Sequence, residues 1–325
     1  MILIITTSEI ETTTDHVIDW LQYYGANYLR LNVDELTESI KILNDEIYVK
    51  GIDIKMFKIC WLRKFGDKDI GKIASEIPIT NFATNSTILS NLYNEKKALL
   101  DYLFFRLSDR RWITHPFEVD LNKLQILYYA RKSGLNVPET LISKSKGEIN
   151  EFLYKNNNLL ISKSISDFSV VNYNKKNYNF LTIPINNKSL EEIDYDKLYI
   201  SLFQSTIEKE YELRVFFIFE DFFAMAIFSQ DNDKTKLDYR NYDYQNPNRV
   251  SSYRLPLELT VKLKKFIKLS NLTSGSIDII KEKDTDNYYF LEVNPVGQFS
   301  NLSYNCNYYI EKKIAKILIE EDERF

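Results

Sequence analysis

Glycine is scarce, with eight in 325 residues. Neither GxGxxG nor GxxxxGK[ST] occurs, so a glycine-lined phosphate loop of the Rossmann or Walker kind is excluded. A nucleotide would have to be held by side chains and non-glycine backbone. His16 and His115 are the only histidines, which excludes a His-rich metal centre and a two-His helix motif. Cys60 and Cys306 are the only cysteines. Two thiols so far apart make no metal-ligand spacing and no disulfide framework, which favours a reducing cytoplasm. Long apolar runs are missing too. The most apolar stretch, VFFIFEDFFAMAIF, is split by Glu220 and Asp221, is too short for a membrane span and reads as a hairpin. The N-terminal MILIITTSEIETTT has an apolar run without a basic flank, so it is no signal peptide. The net charge of -4 gives no overall attraction to nucleic acid or acidic lipid.

What is present suffices for a large core. The chain is 44% hydrophobic and long enough for two or three domains. Its richness in Tyr and Phe, with Asn and Lys, is read as genome composition. Residues 2–5, NYLRLNV, EIYVKG and FKICWLRKFG are predicted strands, and TTTDHVIDWLQYYG is a predicted helix with Thr14 or Asp15 as N-cap and Gly25 as its stop. Strands alternating with helices predict a parallel sheet. A long helix is expected from Thr87 to Leu107. RRWITHP then gives a short strand ended by Pro116, a plausible domain boundary.

Further on, residues 122–135 predict a helix stopped by Gly134, and NVPETLIS leads into a strand. A helix near 146–156 precedes the strand LLISKSI. SVVNYNKKNYNFLTIPI predicts a hairpin with a polar Asn/Lys turn. YELRVFFIF and FFAMAIF predict an antiparallel pair, LPLELTVKLKKFIKLSNL an amphipathic helix, GSIDIIKEKDTDNYYFLEVNP a second hairpin, and IEKKIAKILIEEDERF a terminal helix.

The second hairpin carries the chemistry. Side chains alternate along a strand, so Glu292 and Asn294 point the same way, and Asp278 can lie across from them. Two carboxylates and a carboxamide oxygen make a hard-oxygen site suited to Mg²⁺, which takes its remaining ligands from phosphate and water. Pro295 stops the strand there. Upstream are cations. Lys163 sits within LLISKSI, Arg214 follows Glu212 on one face of YELRVFFIF, and Arg240 lies in KLDYRNYD. Mg²⁺ with such Lys and Arg residues would neutralise a triphosphate.

This order of residues resembles the ATP-grasp superfamily: a strand lysine, the linker Gln204 to Ile207, an acidic-x-Arg strand, an aromatic-Arg segment, then Asp and Glu-x-Asn. It is similar to the ribosomal-protein glutamate ligases and closer to the ligases that make microviridin-like peptides (graspetides). WLRK at 61–64 looks like that subfamily's Trp-x-Arg stretch, and RRWITHP, Asn122-Lys123 and SGLNVPETLIS resemble a further passage of it. The glycine-poor, Asn/Lys-rich style looks like the grasp-with-spasm variant.

The resemblance implies an α/β ATP-grasp fold. An N-terminal pre-ATP-grasp domain would span 1–115, a central α+β subdomain 116–203, and a C-terminal antiparallel sheet subdomain with helices and the metal site 204–325. It implies ATP and Mg²⁺ as cofactors. Lys123 and Lys163 would contact phosphates, Gln204, Ser205, Thr206 and Ile207 would present backbone to adenine, and Glu212 would reach the ribose. Arg214 and Arg240 would steady the transferring phosphate and the acyl phosphate, and Asp278, Glu292 and Asn294 would hold Mg²⁺. Tyr173, Lys175, Lys176 and Tyr178 would meet a leader peptide. Two departures stand out: the linker reads QSTI without an acidic residue after Gln204, and SISDFSVVN after Lys163 has no glycine.

By the same resemblance, the protein is expected to be a cytoplasmic homodimer. It would join Asp or Glu side chains of a ribosomal precursor peptide to Ser or Thr hydroxyls or Lys amines. The chemistry needs no enzyme nucleophile, only positioning and charge neutralisation. Two alternatives stay open: an amino-acid ligase acting on a protein or metabolite, and a non-catalytic ATP-binding module, against which the intact acidic set and arginines argue.

Overall fold

The computed structural model of the chain describes residues 1–7, 11–64, 82–119, 121–166, 171–173, 176–178, 182–232, 234–236, 239 and 243–324. Its first sheet is parallel, in the order β2-β1-β6-β7, from β1 (Ile2–Thr6), β2 (Tyr28–Asn32), β6 (Ile59–Leu62) and β7 (Arg111–Ile113). β1 is an unbroken run and all five residues are buried, as a strand covered on both faces must be. Leu3, Ile5, Cys60 and Leu62 pack with Leu103 and Phe104 of the Phe82–Arg106 helix. Ile2, Ile4, Ile59 and Trp61 pack with Val17 and Leu21 of the Thr12–Tyr23 helix and with Ile314 and Leu318 of the Ile310–Arg324 helix. The last helix of the chain thus completes its first sheet.

Two expectations for this region need correction. EIYVKG does not join the parallel sheet. It is β4 (Glu46–Val49), the middle of an antiparallel sheet with β3 (Ile40–Leu43) and β5 (Ile52–Asp53). Its neighbours are joined to it by short turns, which permit only antiparallel pairing. The helix cap is Glu11, not Thr14 or Asp15. Its carboxylate accepts from the Thr14 amide at 3.1 Å and the Thr14 hydroxyl at 2.6 Å, and the helix begins at Thr12. Gly25 follows the helix at φ +68, a left-handed stop as expected.

A second, antiparallel sheet runs β12-β9-β13-β8, from β8 (Thr140–Ser143), β9 (Leu160–Lys163), β12 (Ile183–Ile185) and β13 (Ser201–Ser205). The Lys146–Lys155 and Asn187–Glu191 helices cover it through Ile149, Leu153 and Leu190. The expected hairpin over 169–185 is shorter than its sequence suggests. β10 (Val171–Tyr173) pairs with β11 (Lys176–Tyr178), while Ile183–Ile185 returns to β9.

The third sheet, also antiparallel, runs β16-β15-β14-β17-β18, from β14 (Lys209–Ile218), β15 (Asp221–Phe228), β16 (Arg249–Tyr253), β17 (Ser274–Glu282) and β18 (Tyr288–Asn294). β14 divides by the period of two. Leu213, Val215 and Phe217 face the Lys123–Ser133 and Leu257–Ser270 helices. Phe216 and Ile218 on the opposite face pack into the core of the first sheet. Glu212 and Arg214 continue that second face beyond its apolar end. Among the described residues no helix is long and apolar enough to cross a membrane.

Candidate functional site

A cleft of about 730 Å³ lies between the second and third sheets. Ile161 and Lys163 of β9 and Pro184 of β12 line one wall. Asp278, Ile279 and Ile280 of β17, with Leu291 and Glu292 of β18, line the other. Ser205 to Lys209, the link between the sheets, runs along it, and Gln230, Lys236 and Tyr239 also reach it.

Two β-bulges shape this wall. Asp278 pairs with Glu292 but Ile279 pairs with Phe290, so Leu291 is an extra residue in β18. The bulge keeps Phe290 in the core while Leu291 and Glu292 both reach the cleft. The second bulge is at Glu210, because Lys209 pairs with Glu282 and Tyr211 with Lys281. In a regular strand residues 209 and 212 would face opposite ways. Here the Lys209 ammonium lies 2.7 Å from Glu212 Oε1, with both side chains buried. The Ser229 hydroxyl donates to Glu212 Oε2 at 2.5 Å.

Asp278 anchors the polar end. Arg214 Nη1 lies 2.8 Å from each of its carboxylate oxygens, and the Tyr239 hydroxyl donates to Oδ1 at 3.3 Å. Burial alone would push the Arg214 guanidinium down. The charges of Asp278, Tyr239 and Glu292 and the hydrogen bond that Asp278 accepts outweigh it, so its pKa lies above the ordinary value and it remains a cation. Asp278 and Glu292 are register partners, and Asn294 lies opposite Ser276 two positions along. Asn294 Oδ1 accepts from the Val296 amide at 3.0 Å, which leaves a lone pair free. Among the described residues no three His, Cys, Asp or Glu side chains gather as a metal cage. Two carboxylates and one carboxamide nevertheless fit Mg²⁺, which binds few protein oxygens and keeps phosphate and water.

The expected residues are placed differently, and Arg214 and Asn294 stand behind and beyond the cleft wall. Lys163, Ser205, Thr206, Ile207, Glu212, Asp278 and Glu292 line the cleft. Lys123 lies at its edge, its ammonium 3.4 Å from the Ser164 carbonyl just beyond β9. Gln204 sits one residue too deep. It is fully buried within β13, between Thr140 and Ile161, and its amide nitrogen donates to the Thr140 hydroxyl at 3.0 Å. Arg240 and Lys175 lie outside the described residues. Tyr173, Lys176 and Tyr178 belong to the β10–β11 pair. Sequence reasoning placed Lys209 and Glu208 near the linker without giving them a role, and missed Ser229, Lys236 and Tyr239. Of these three only Tyr239 had a signal, as the aromatic beside Arg240.

No protein-family model and no curated protein matches the sequence. Solved structures do match, over nearly the full length of both chains. The macrocyclase MdnC of Microcystis aeruginosa MRC, bound with precursor peptide MdnA, has 24% identity and a TM-score of 0.80, covering 98% of this chain and 99% of that one. A Chryseobacterium gregarium RiPP-associated ATP-grasp ligase, in complex with ADP and a leader and core peptide, also has 24% identity and a TM-score of 0.80, covering 98% and 96%. The ATP-grasp ligase PsnB, complexed with minimal precursor, Mg and ADP, has 19% identity and a TM-score of 0.77, covering 99% and 97%. The chain therefore has the fold of the ATP-grasp ligases.

Proposed function

We propose that the protein is an ATP-dependent peptide ligase. It activates Asp or Glu side-chain carboxylates of a ribosomal precursor peptide and joins them to Ser or Thr hydroxyls or Lys amines, closing rings. The observation that carries this is the cross-strand pair Asp278–Glu292 on the wall of a cleft that also presents Lys163, with Arg214 bound to Asp278. Proteins of the same fold, solved with ADP, Mg and precursor peptides, support it.

ATP would lie between the two antiparallel sheets. Its base would meet the Ser205–Ile207 backbone, its ribose the Glu212 end, and its phosphates Lys163 and Lys123. Asp278, Glu292 and Asn294 would hold Mg²⁺, which when bound neutralises charge on the phosphates. The peptide carboxylate attacks the γ-phosphorus and ADP leaves, giving an acyl phosphate. A hydroxyl or amine then attacks the acyl carbon, phosphate departs, and the nucleophile loses its proton to solvent. Arg214 keeps a fixed positive charge behind Asp278 throughout, so no charge needs to be reorganised in the buried site. Arg240 would act on the acyl phosphate. The leader would dock at the β10–β11 hairpin. Homodimerisation, cytoplasmic location and division near residues 115 and 203 complete the proposal.

The test is a search for a short reading frame beside the gene with repeated Thr/Ser and Glu/Asp near its C-terminus, and mass spectrometry of that peptide incubated with the enzyme and MgATP. Loss of one water per ring, with one ADP released for each, is expected. A gain of one amino-acid unit would identify an amino-acid ligase instead, and an unmodified peptide with no ADP would refute both.

A further inference from the structure

The first sheet reaches the candidate metal strand at the turn that ends it. Asn294 closes β18 and begins the turn Asn294–Pro295–Val296–Gly297, in which the Gly297 amide donates to the Asn294 carbonyl at 3.0 Å. The turn lies flat on β17. A Cβ built on Gly297 would stand 2.3 Å from Ser276 Cβ and 2.7 Å from its backbone nitrogen. Three consecutive carbonyls of this turn are taken by residues from the first sheet. Arg63 Nη1 donates to Val296 O at 2.9 Å and to Gly297 O at 3.3 Å, and the Thr114 hydroxyl donates to Pro295 O at 3.2 Å.

Both donors sit just past the carboxyl ends of neighbouring parallel strands, β6 and β7, the edge where α/β sheets usually place functional groups. Neither is there cheaply. Thr114 is β-branched yet has φ +58, a strained conformation for such a residue. Its amide donates to Thr273 Oγ1 at 2.7 Å, and its hydroxyl is 2.6 Å from Ser274 Oγ. Arg63 is 3% exposed, and its nearest counter-charge is Glu11, 3.8 Å from Nε. Nε and Nη2 have no hydrogen-bond partner among the described residues, and Phe299 lies under the guanidinium at 5.3 Å. Burial pushes its pKa down, and Glu11 offsets this only in part. An apolar side chain would fill this place without that cost, so what the guanidinium supplies is its hold on the turn.

We infer that Arg63 and Thr114 are positioning residues that fix Asn294, and so complete the metal site from a different sheet. The inference rests on Asp278, Glu292 and Asn294 being the Mg²⁺ site. It makes metal affinity depend on how the first sheet docks against the third.

Mn²⁺ binding, followed by the electron paramagnetic resonance of free Mn²⁺ with a non-hydrolysable ATP analogue present, tests it. Thr114→Val keeps the shape and removes the hydroxyl, Thr114→Ser keeps the hydroxyl, and Arg63→Lys keeps the charge and loses the planar fork. Thr114→Val and Arg63→Lys should each weaken Mn²⁺ binding about tenfold, as outer partners of metal ligands do, and Thr114→Ser should not. Affinity for the analogue without metal should stay as in the wild type. Unchanged Mn²⁺ affinity in Thr114→Val overturns the inference, even if thermal stability falls or Arg63→Lys does not fold. An equal loss of metal-free analogue affinity also overturns it. A wild-type protein that binds neither Mn²⁺ nor the analogue would instead refute the functional reading.

Discussion

Arg214 places one guanidinium nitrogen 2.8 Å from both oxygens of Asp278 across the β14–β17 ladder, where the two residues are register partners. Both are largely buried, with side chains 18% and 8% exposed. Removing one partner of such a pair leaves an uncompensated charge, which costs about 3 kcal/mol, whereas removing both charges costs far less. Arg214→Gln should therefore lose about 3 kcal/mol in denaturant unfolding. The double variant with Asp278→Asn should regain most of that stability but none of the ATP-dependent turnover. A single substitution costing under about 1 kcal/mol would show the pair to be no stronger than a surface bridge.

Glu292 is less buried than Asp278, so Glu292→Gln tests the chemistry with a smaller effect on stability. The amide keeps the shape and removes a hard anionic ligand. Turnover should fall by about 3 kcal/mol, or roughly a hundredfold, with the unfolding midpoint little changed. Activity close to wild type at limiting Mg²⁺ would exclude this residue from the metal site.

The strands and helices that build the site were legible because their apolar periods are strong. Asp278 and Glu292 stood out as carboxylates flanked by aliphatic residues, alternation put Glu292 and Asn294 on one face, and Asp278 could lie across from them. The bulges were not legible. Whether Leu291 or Glu210 is the extra residue depends on the partner strand, which a local period cannot reveal. The Lys209–Glu212 contact was hidden for that reason. Glu11 was overlooked as a cap because shorter side chains usually cap helices. One of its counter-charges, Arg63, is more than fifty residues away in sequence. Gln204 looked like the start of the linker, but β13 pairs on both sides one residue further than its sequence suggests.

Glu11 also predicts a response to acid. Burial alone would raise its pKa, but the Thr14 hydroxyl, Arg63, Lys64 and the Thr14 amide together hold it below the ordinary 4.5. A carboxyl whose folded pKa is depressed adds stability that is complete above its unfolded value and is lost as pH falls through the folded one. Wild-type stability should thus decline below 4.5 partly through Glu11. Glu11→Gln should be less stable at neutral pH by about 2 kcal/mol and show a shallower decline in that acid window. Parallel curves for the two proteins, from denaturant unfolding at a series of pH values, would rule out this contribution.

The hairpin β10–β11 bears on peptide recognition. Among the described residues it joins neither of its neighbouring sheets and forms a two-stranded sheet of its own. Such a ribbon is marginal in water by itself, so a partner strand or helix laid against it would gain from ordering it. In its sequence, VNYNKKNY, Lys175 and Lys176 stand between Tyr173 and Tyr178. A leader rich in acidic and apolar residues would suit that mixture, with charge setting the encounter and the rings supplying contact area. Replacing Lys175 and Lys176 by Glu should raise the Kd of a labelled leader peptide about tenfold or more, with ATP present or absent. Binding of the ATP analogue should not change, because among the described residues none that lines the cleft belongs to this hairpin. The wild-type Kd should rise with ionic strength, and the variant's should not. Unchanged leader affinity with normal processing would remove the hairpin from the peptide-binding surface.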